Sequence, residues 1–300
     1  MRSNAVKADV LLLTTALIWG LAFVAQRVGM EHVGPLTFNG VRFALGALAL
    51  LPLAVRSARY ADSTEFLFGK PTLRTYVLGG LMAGCLLFTG ATLQQVGLVY
   101  TTAGKAGFIT GLYVVIVPLL GLAFKQRPAK GDVIGAVLAA VGLYYLSVTE
   151  AFTIAYGDVL ELVGAVFWAG HVIIIGRLSP RMRAAGLACA QYSVCAILSL
   201  AVAVFTENMA LSGILDAAVP ILYGGLMSVG LAYTLQVVAQ RDAKPTHAAI
   251  ILSLESVFAA LAGWIILNET LGGRGLFGCA LMLAGMLLSQ LWPRKSELAG

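Results

Sequence analysis

The chain has 300 residues, of which 59% are hydrophobic and only 11% are charged. Soluble globular domains carry about 25% charged residues, so this composition excludes an ordinary soluble domain and favours an integral membrane protein. The net charge of +6 comes from basic residues scattered over short loops between apolar runs. A continuous basic stripe is missing, so we do not expect a nucleic-acid partner.

Apolar runs long enough to cross a lipid bilayer recur along the chain. A transmembrane helix needs about 20 apolar residues, and only helices or closed barrels satisfy every backbone group in lipid. These runs are too long and too uniformly apolar for barrel strands. We therefore predict an all-α integral membrane protein with ten transmembrane helices and a retained N-terminal helix. The predicted spans are 9–29, 37–56, 74–98, 102–124, 131–149, 156–177, 183–205, 217–240, 246–268 and 273–292.

The basic residues predict the orientation of these helices. If the N-terminus is cytoplasmic, sixteen of the 20 lysines and arginines fall at or near inner ends of the spans, while Arg27 and Arg274 fall at outer ends. Cytoplasmic loops of membrane proteins carry an excess of Lys and Arg. We therefore predict that both the N- and the C-terminus are cytoplasmic.

An internal repeat relates the two halves of the chain. The stretch LQQVGLVYTTAGKA (93–106) aligns with LQVVAQRDAKPTHA (235–248) at a shift of 142 positions. A repeat of five helices is odd, so the second copy must enter the membrane from the opposite side. We predict two inverted five-helix repeats, residues 1–150 and 151–300, which is a recurring plan of secondary transporters.

Four stretches resemble the EamA-type members of the drug/metabolite transporter superfamily. They are LIWGLAFVAQRVGM (17–30), PLTFNGVRFALGALALLP (35–52), YTTAGKAGFITGLYVVIVPLL (100–120) and LSLESVFAALAGWIILNETL (252–271). The resemblance implies ten helices, cytoplasmic termini, a bacterial inner membrane and a central cavity between the halves. It also implies export or exchange of small polar metabolites, commonly amino acids. The family often has Glu-Pro in the ninth helix. Here the glutamate carries over as Glu255, and Ser256 replaces the proline.

Five residues near the middle of the spans are candidates for the substrate site, because inverted-repeat carriers bind substrate near the bilayer centre. They are Trp19, Tyr113, Trp168, Tyr233 and Glu255. Trp and Tyr normally concentrate at the membrane interfaces, and a wet cavity would supply partners for mid-span copies. The alternative is that these aromatic residues are packed core residues.

Glu255 is the most informative of the five. A carboxylate near the centre of a span costs roughly 2.5–3.5 kcal/mol on insertion scales, and such residues mark substrate or proton paths. Glu255 could bind a substrate ammonium, carry a coupling proton or bond to a neighbouring helix. Glu255 and His171 are therefore candidates for a proton relay, although a lone mid-span histidine is more often structural.

Polar residues toward the ends of the spans predict gates or vestibules. Those expected near the outer side are Gln26, Arg42, Gln94 and Lys105, and those expected near the inner side are Gln236 and His247. A long lysine side chain can also snorkel to the membrane surface. We interpret Lys105 as a vestibule residue outside the binding site itself.

The sequence contains no HExxH, GxSxG or GxxxxGK[ST] motif, so we predict no catalytic residues and no enzyme activity. Its four cysteines have no metal-ligand spacing, and we expect neither a metal nor a cofactor. Partners should be a small-molecule substrate and the lipid bilayer. Small residues along the fifth and tenth spans allow close helix packing, which leaves a monomer or a weak homodimer open.

These observations favour a secondary transporter that exports or exchanges small polar metabolites by alternating access. Amino acids are the first candidates for its substrate. The alternative is a proton-coupled carrier of another metabolite class, such as a nucleobase or a drug-like amine. A remote alternative is an intramembrane enzyme.

Overall fold

The computed structural model describes residues 2–59, 72–121, 130–147, 154–243, 248 and 251–292. Almost all of these residues are helical, and no β-strand occurs among them. The predicted all-α class is confirmed for this part of the chain.

The first half of the chain forms six helical segments. They are α1 (Arg2–Gly29), α2 (Pro35–Arg59), α3 (Leu73–Tyr100), α4 (Ala103–Gly111), α5 (Tyr113–Gly121) and α6 (Lys130–Ser147). Threonines define two of the starts, since the hydroxyl of Thr72 accepts from the Thr75 amide and that of Thr102 from the Lys105 amide. Such N-caps satisfy amides that have no partner inside the helix.

The second half begins with two long helices and then becomes less regular. Its segments are α7 (Tyr156–Leu178), α8 (Ala184–Thr206), α9 (Leu211–Asp216), α10 (Ala218–Leu222), a π-helix (Tyr223–Tyr233), α11 (Thr234–Ala239), α12 (Glu255–Leu267) and α13 (Gly273–Leu291). Asn268 ends α12 in the left-handed conformation at φ 53°, a common way to terminate a helix.

Seven described segments are long and apolar enough to cross a membrane. They are Val6–Gly29, Pro35–Ser57, Leu73–Tyr100, Ala103–Gly121, Tyr156–Leu178, Ala184–Thr206 and Ala218–Ala239. Three further apolar helices, Val133–Leu146, Ile251–Leu267 and Gly273–Leu288, are shorter. The count of ten spans therefore stays a prediction.

Two helix breaks occur at the same position of the predicted repeat. Leu112 interrupts the helix between α4 and α5, and Leu254 interrupts it just before α12, 142 residues later. At both breaks the leucine amide bonds to the carbonyl three residues earlier, and its carbonyl accepts from the amide three residues later. These tight turns are local 3₁₀ geometry. The second break forms although Ser256 replaces the family's proline, and the Ser256 hydroxyl donates to the Gly107 carbonyl of α4 at 2.9 Å.

Helices of the two halves pack against one another in matched pairs. The helices α2 and α8, α4 and α12, and α6 and α13 contact each other, and each pair joins helices of the same order in the two halves. The contact of α1 with α12 is matched by that of α4 with α7, and the contact of α3 with α7 by that of α1 with the π-helix. The core therefore lies between the halves and not within each one.

Candidate functional site

A small cavity lies at the centre of the interface between the two halves. Its wall combines aromatic, amide and charged side chains from both halves. It is lined by Trp19, Ala22, Phe23, Gln26, Arg42, Gln94, Thr110, Tyr113, Trp168, His171, Val172, Ser228, Tyr233, Gln236 and Glu255. The volume of about 30 Å³ has room for one or two water molecules, so a metabolite does not fit in this conformation.

All five residues predicted for the substrate site lie in this wall. Tyr233 is the centre of the aromatic group, with the ring of Trp19 at 4.4 Å and that of Trp168 stacked at 6.1 Å between centroids. The indole of Trp19 donates to the Ser228 carbonyl of the π-helix at 3.2 Å. The two tryptophans therefore approach the same tyrosine from opposite halves. Their role in binding stays a prediction.

The two helix breaks place Tyr113 and Glu255 in the cavity wall. Each is the first residue of the helix that follows its break, α5 for Tyr113 and α12 for Glu255. Glu255 is 4% exposed and Tyr113 3% exposed, and the Tyr113 hydroxyl lies close enough to interact with the Glu255 carboxyl. A tyrosine and a carboxylate thus occupy corresponding positions of the predicted repeat.

Arg42 brings a buried positive charge into the same wall. Its Nε donates to Asn39 Oδ1 at 3.0 Å, and its guanidinium carbon lies 5.5 Å and 4.9 Å from the ring centroids of Phe38 and Phe43. Aromatic faces attract a cation in this way. No ion pair between Arg42 and a carboxylate is seen in the described part of the chain.

The glutamines that the sequence placed at the outer and the inner ends of the spans lie in the same wall of the central cavity. Gln94 Nε2 donates to Gln26 Oε1 at 3.0 Å, and Gln26 Nε2 donates to the Ala22 carbonyl. Neither polar atom of Gln236 has a partner among the described residues. Gln26, Arg42, Gln94 and Gln236 thus share the central wall, although the sequence placed them at opposite gates. His247 lies outside the described residues.

His171 also reaches the wall. Its Nε2 lies 2.8 Å from Gln191 Oε1, and because an amide oxygen only accepts, the ring donates at this nitrogen. The ring meets Trp168 and Tyr233 edge to face, at 6.0 and 6.1 Å between centroids. These contacts give the histidine a packing role, and its part in a proton relay stays a prediction.

Lys105 lies outside the cavity wall and forms an ion pair. Its Nζ donates to Asp158 Oδ2 at 2.7 Å, and Thr101 donates to Asp158 Oδ1 at 2.7 Å. Asp158 is 1% exposed and the lysine side chain 22% exposed. The partner that neutralises Lys105 is 53 residues away in sequence and belongs to the other half.

Two glutamates cap helices that begin at the same end of the molecule as the Lys105–Asp158 pair. Glu269, after α12, accepts from the amides of Ala103 and Gly104 at 2.9 and 3.0 Å, at the start of α4. Glu207, after α8, accepts from the Leu36 and Thr37 amides at the start of α2. The contacts of Glu269 and Glu207, with the Lys105–Asp158 pair, define what we call the capped end.

A helix N-terminus favours a carboxylate because its amides and its dipole are positive. Each of the two glutamates comes from the second half and caps a helix of the first half. The contacts at the capped end therefore hold the two halves together.

Glu161 is a buried carboxylate that our sequence reasoning missed. It is fully buried in α7; its Oε2 accepts from Thr110 Oγ1 at 3.0 Å, and its Oε1 has no partner among the described residues. A glutamate inside an apolar run was the available signal. No group of three or more side chains suited to hold a metal ion comes together in the described part of the chain.

The model of the EamA-like transporter family matches the chain over residues 6–148 and again over 155–291. The chain belongs to this family. The resemblance seen in the four sequence stretches is thereby confirmed, and the protein is a multi-pass membrane transporter.

The names of similar proteins also describe them as transporters. An uncharacterized transporter of Archaeoglobus fulgidus is 35% identical over 285 residues, which are 95% of this chain and 86% of the relative. The uncharacterized transporter YoaV of Bacillus subtilis is 22% identical over 95% of this chain and 97% of its own. The uncharacterized inner membrane transporter YedA of Escherichia coli is 26% identical over 85% and 81%. These names specify no substrate.

A solved crystal structure that is 17% identical to this chain has the same fold. It superposes with a TM-score of 0.69 and covers 95% of this chain and 97% of its own. At this identity the likeness concerns the fold alone.

Proposed function

We propose that this EamA-like protein is a secondary transporter that exports or exchanges amino acids by alternating access. The observation that carries the proposal is the composition of the central wall. It combines a buried cation, a buried carboxylate and polar atoms without hydrogen-bond partners among the described residues, those of Trp168 and Gln236. Buried polar groups are normally hydrogen-bonded, so a polar substrate can supply what this wall lacks.

A zwitterionic amino acid matches the charges of this wall. Arg42 can bind the substrate carboxylate through two parallel N–H donors, and Glu255 can bind its ammonium. The rings of Trp19, Trp168 and Tyr233 offer apolar area and cation–π attraction for the rest of the molecule. Because an amine without a carboxylate would use only half of these contacts, we favour amino acids over drug-like amines.

The size of the cavity supports alternating access. At about 30 Å³ it must widen before it can admit a metabolite, and the capped end is held closed by the two glutamates and one ion pair. At the opposite end, a groove of about 540 Å³ lies beside Arg56, Arg183 and Arg241. We propose that the capped end faces outward and that this conformation is closed to the outside.

The proposed movement is a rocking of two inverted five-helix repeats. The matched breaks at Leu112 and Leu254, the paired contacts between the halves and the two family matches support this division. Broken helices at the repeat interface are a common feature of secondary transporters. Ten spanning helices, two cytoplasmic termini and an inner-membrane location complete the proposal.

The test is counterflow of labelled amino acids into proteoliposomes that contain the purified protein. We expect saturable uptake that Glu255→Gln reduces by about 100-fold, which corresponds to roughly 2.7 kcal/mol of lost transition-state stabilisation. Trp168→Ala should abolish uptake because it removes a ring from the wall.

Two exposed residues offer matched controls, Glu31→Gln for the carboxylate and Trp264→Ala for the indole. Normal transport by Glu255→Gln would eliminate both the ammonium and the proton roles of Glu255. If folded protein transports no amino acid, the substrate belongs to another class, and a nucleobase or a drug-like amine would be tested next.

A further inference from the structure

We infer that Glu161 binds the coupling proton and belongs to a buried polar path from the capped end to the central cavity. The inference rests on the proposed transport function and makes the protein a proton–substrate antiporter. It begins from a carboxyl group that substrate binding does not use, because Glu161 is absent from the cavity wall.

The position of Glu161 links two sites described above. On one side, Thr110 donates to its Oε2 at 3.0 Å, and Thr110 itself lines the central cavity. On the other side, Asp158 lies one turn earlier on α7 and accepts from Lys105, whose side chain is 22% exposed. Lys105, Asp158, Glu161 and Thr110 therefore follow one another from the surface to the cavity.

The surroundings of Glu161 favour a neutral carboxylic acid in this conformation. The side chain is fully buried, a single hydroxyl donates to it, and Oε1 has no partner among the described residues. An ionised carboxylate with so few donors is expensive in a low-dielectric interior. The unpartnered Oε1 is the atom on which we place the proton.

The neighbouring helix α3 leaves space for this oxygen. A Cβ atom built on Gly97 would lie 2.8 Å from Glu161 Oε1, closer than a carbon atom can pack. The glycine therefore lets the carboxyl group sit between α3 and α7 without a side chain in front of it. The Glu161 carboxyl group is thus fully buried, while its Oε1 has no hydrogen-bond partner among the described residues.

Other ionisable groups surround this position and compete with Glu161 for the proton. Those on α7 and on the helices packed around it are Asp158, Tyr156, Tyr100 at the end of α3, Lys105 on α4, Tyr113 on α5 and Tyr144 on α6. Asp158 accepts from two donors, Lys105 and Thr101. Glu161 accepts from one hydroxyl and forms no ion pair with a described residue, so we place the proton on Glu161.

The proposed step moves one proton and no electrons. When the contacts of the capped end are broken and this end is open, a hydronium ion gives its proton to the Glu161 carboxylate and leaves a water molecule behind. When the cavity opens to the other side, the Glu161 carboxylic acid gives the proton to a water molecule, which becomes a hydronium ion, and the carboxylate is regenerated. Thr110, which donates to Oε2, holds the carboxyl group in place. One proton thus enters for each substrate molecule that leaves.

The experiment compares Glu161→Gln with the wild-type protein in two assays on the same proteoliposomes. Glutamine keeps an oxygen that accepts from Thr110 but cannot exchange a proton. We expect substrate exchange at equal pH to stay within about twofold of wild type, and uptake driven by a pH step to fall at least about tenfold. Thr110→Val should also lose the pH-driven component, and Thr110→Ser should retain it.

A merely structural glutamate would give another pattern. Glu161→Gln would then keep pH-driven accumulation, a result that would overturn the inference. If wild-type protein exchanges substrate but never responds to a pH step, the antiport is refuted while the transport proposal stands. Glu31→Gln is the matched control, since Glu31 is exposed and outside the path.

A second measurement does not depend on knowing the substrate. Infrared spectra of the purified protein should contain the band of a buried protonated carboxyl that disappears in Glu161→Gln. Its absence from wild-type protein at neutral pH would contradict the inference even if no transported substrate were found. Loss of counterflow in the wild type, by contrast, would count against the proposed function.

Discussion

At the scale of single residues, the central wall is unusual because it buries both signs of charge without pairing them. Arg42 is 2% exposed and Glu255 4% exposed, and the described part of the chain contains no ion pair between them. Truncating either partner of a paired buried charge leaves the other uncompensated. Here the expected partner of Arg42 is the substrate carboxylate, and that of Glu255 is the substrate ammonium. Substitution of either residue should therefore weaken the recognition of one of these two groups.

This division predicts a selective effect of Arg42→Lys. Lysine keeps the charge but loses the planar fork that binds a carboxylate with two bonds. We expect affinity for an amino acid to fall about tenfold, or roughly 1.4 kcal/mol, whereas affinity for the decarboxylated amine should not change. Ligand-induced thermal shifts of the purified protein measure both affinities.

Arg27→Lys is the control for this pair, because Arg27 lies at the end of α1 and not in the wall. An equal loss for amino acid and amine would show that Arg42 does not bind the carboxylate.

At the scale of helices, the capped end joins the two halves through side-chain contacts between residues that are far apart in sequence. Glu207 and Glu269 each accept two backbone amides from a helix of the first half. Removing a side-chain cap costs about 0.5–2 kcal/mol. In the proposed transport cycle these caps break when the capped end opens, so their strength should change the balance between the two conformations.

The caps lead to a prediction for hydrogen exchange. Glu269→Gln should speed amide exchange at Ala103 and Gly104 by roughly fivefold, equivalent to about 1 kcal/mol of cap energy. The amides of Leu36 and Thr37 should keep their wild-type rates. Mass spectrometry of peptides that cover the starts of α2 and α4 resolves the two sites.

Glu207→Gln supplies the reciprocal control, with faster exchange at α2 and unchanged exchange at α4. Equal acceleration at both sites in either variant would instead indicate global loosening of the bundle.

At the scale of the whole molecule, the proposed orientation rests on the distribution of basic residues relative to the capped end. Arg56, Arg183 and Arg241 line the groove at the end opposite to the caps, where the positive-inside rule places the cytoplasm. The proposal of inverted repeats rests in part on the packing of α2 with α8 and of α4 with α12.

Cysteine labelling tests this orientation. In a variant without native cysteines, Glu31→Cys should react with a membrane-impermeant maleimide from outside intact cells. Ser57→Cys should react only after the membrane is permeabilised. The reverse pattern would invert the proposed topology and with it the direction in which the proton path runs.

Much of the fold could be predicted from local sequence. Long apolar runs and basic loops depend only on neighbouring residues. The 142-residue repeat appears when the chain is aligned with itself. None of these features depends on how the helices cross. The same holds for the family resemblance and for the five candidate residues, because mid-span position can be counted along the chain. Trp19, Tyr113, Trp168, Tyr233 and Glu255 do meet in one wall.

Contacts between distant residues could not be predicted in this way. The partner of Lys105, the caps made by Glu207 and Glu269, and the bond from Thr110 to Glu161 all join the two halves. Each depends on helix rotation and crossing, which set the faces that meet, and sequence position alone does not determine them.

The sequence by itself thus determined a polytopic, all-helical EamA-like membrane protein with its candidate binding residues. Only the tertiary structure decided that Gln26, Arg42, Gln94 and Gln236 share one cavity and that one end of the bundle is capped. The physical reason is that hydrophobicity is local along a chain, whereas hydrogen bonds and ion pairs require distant helices to present particular faces to each other.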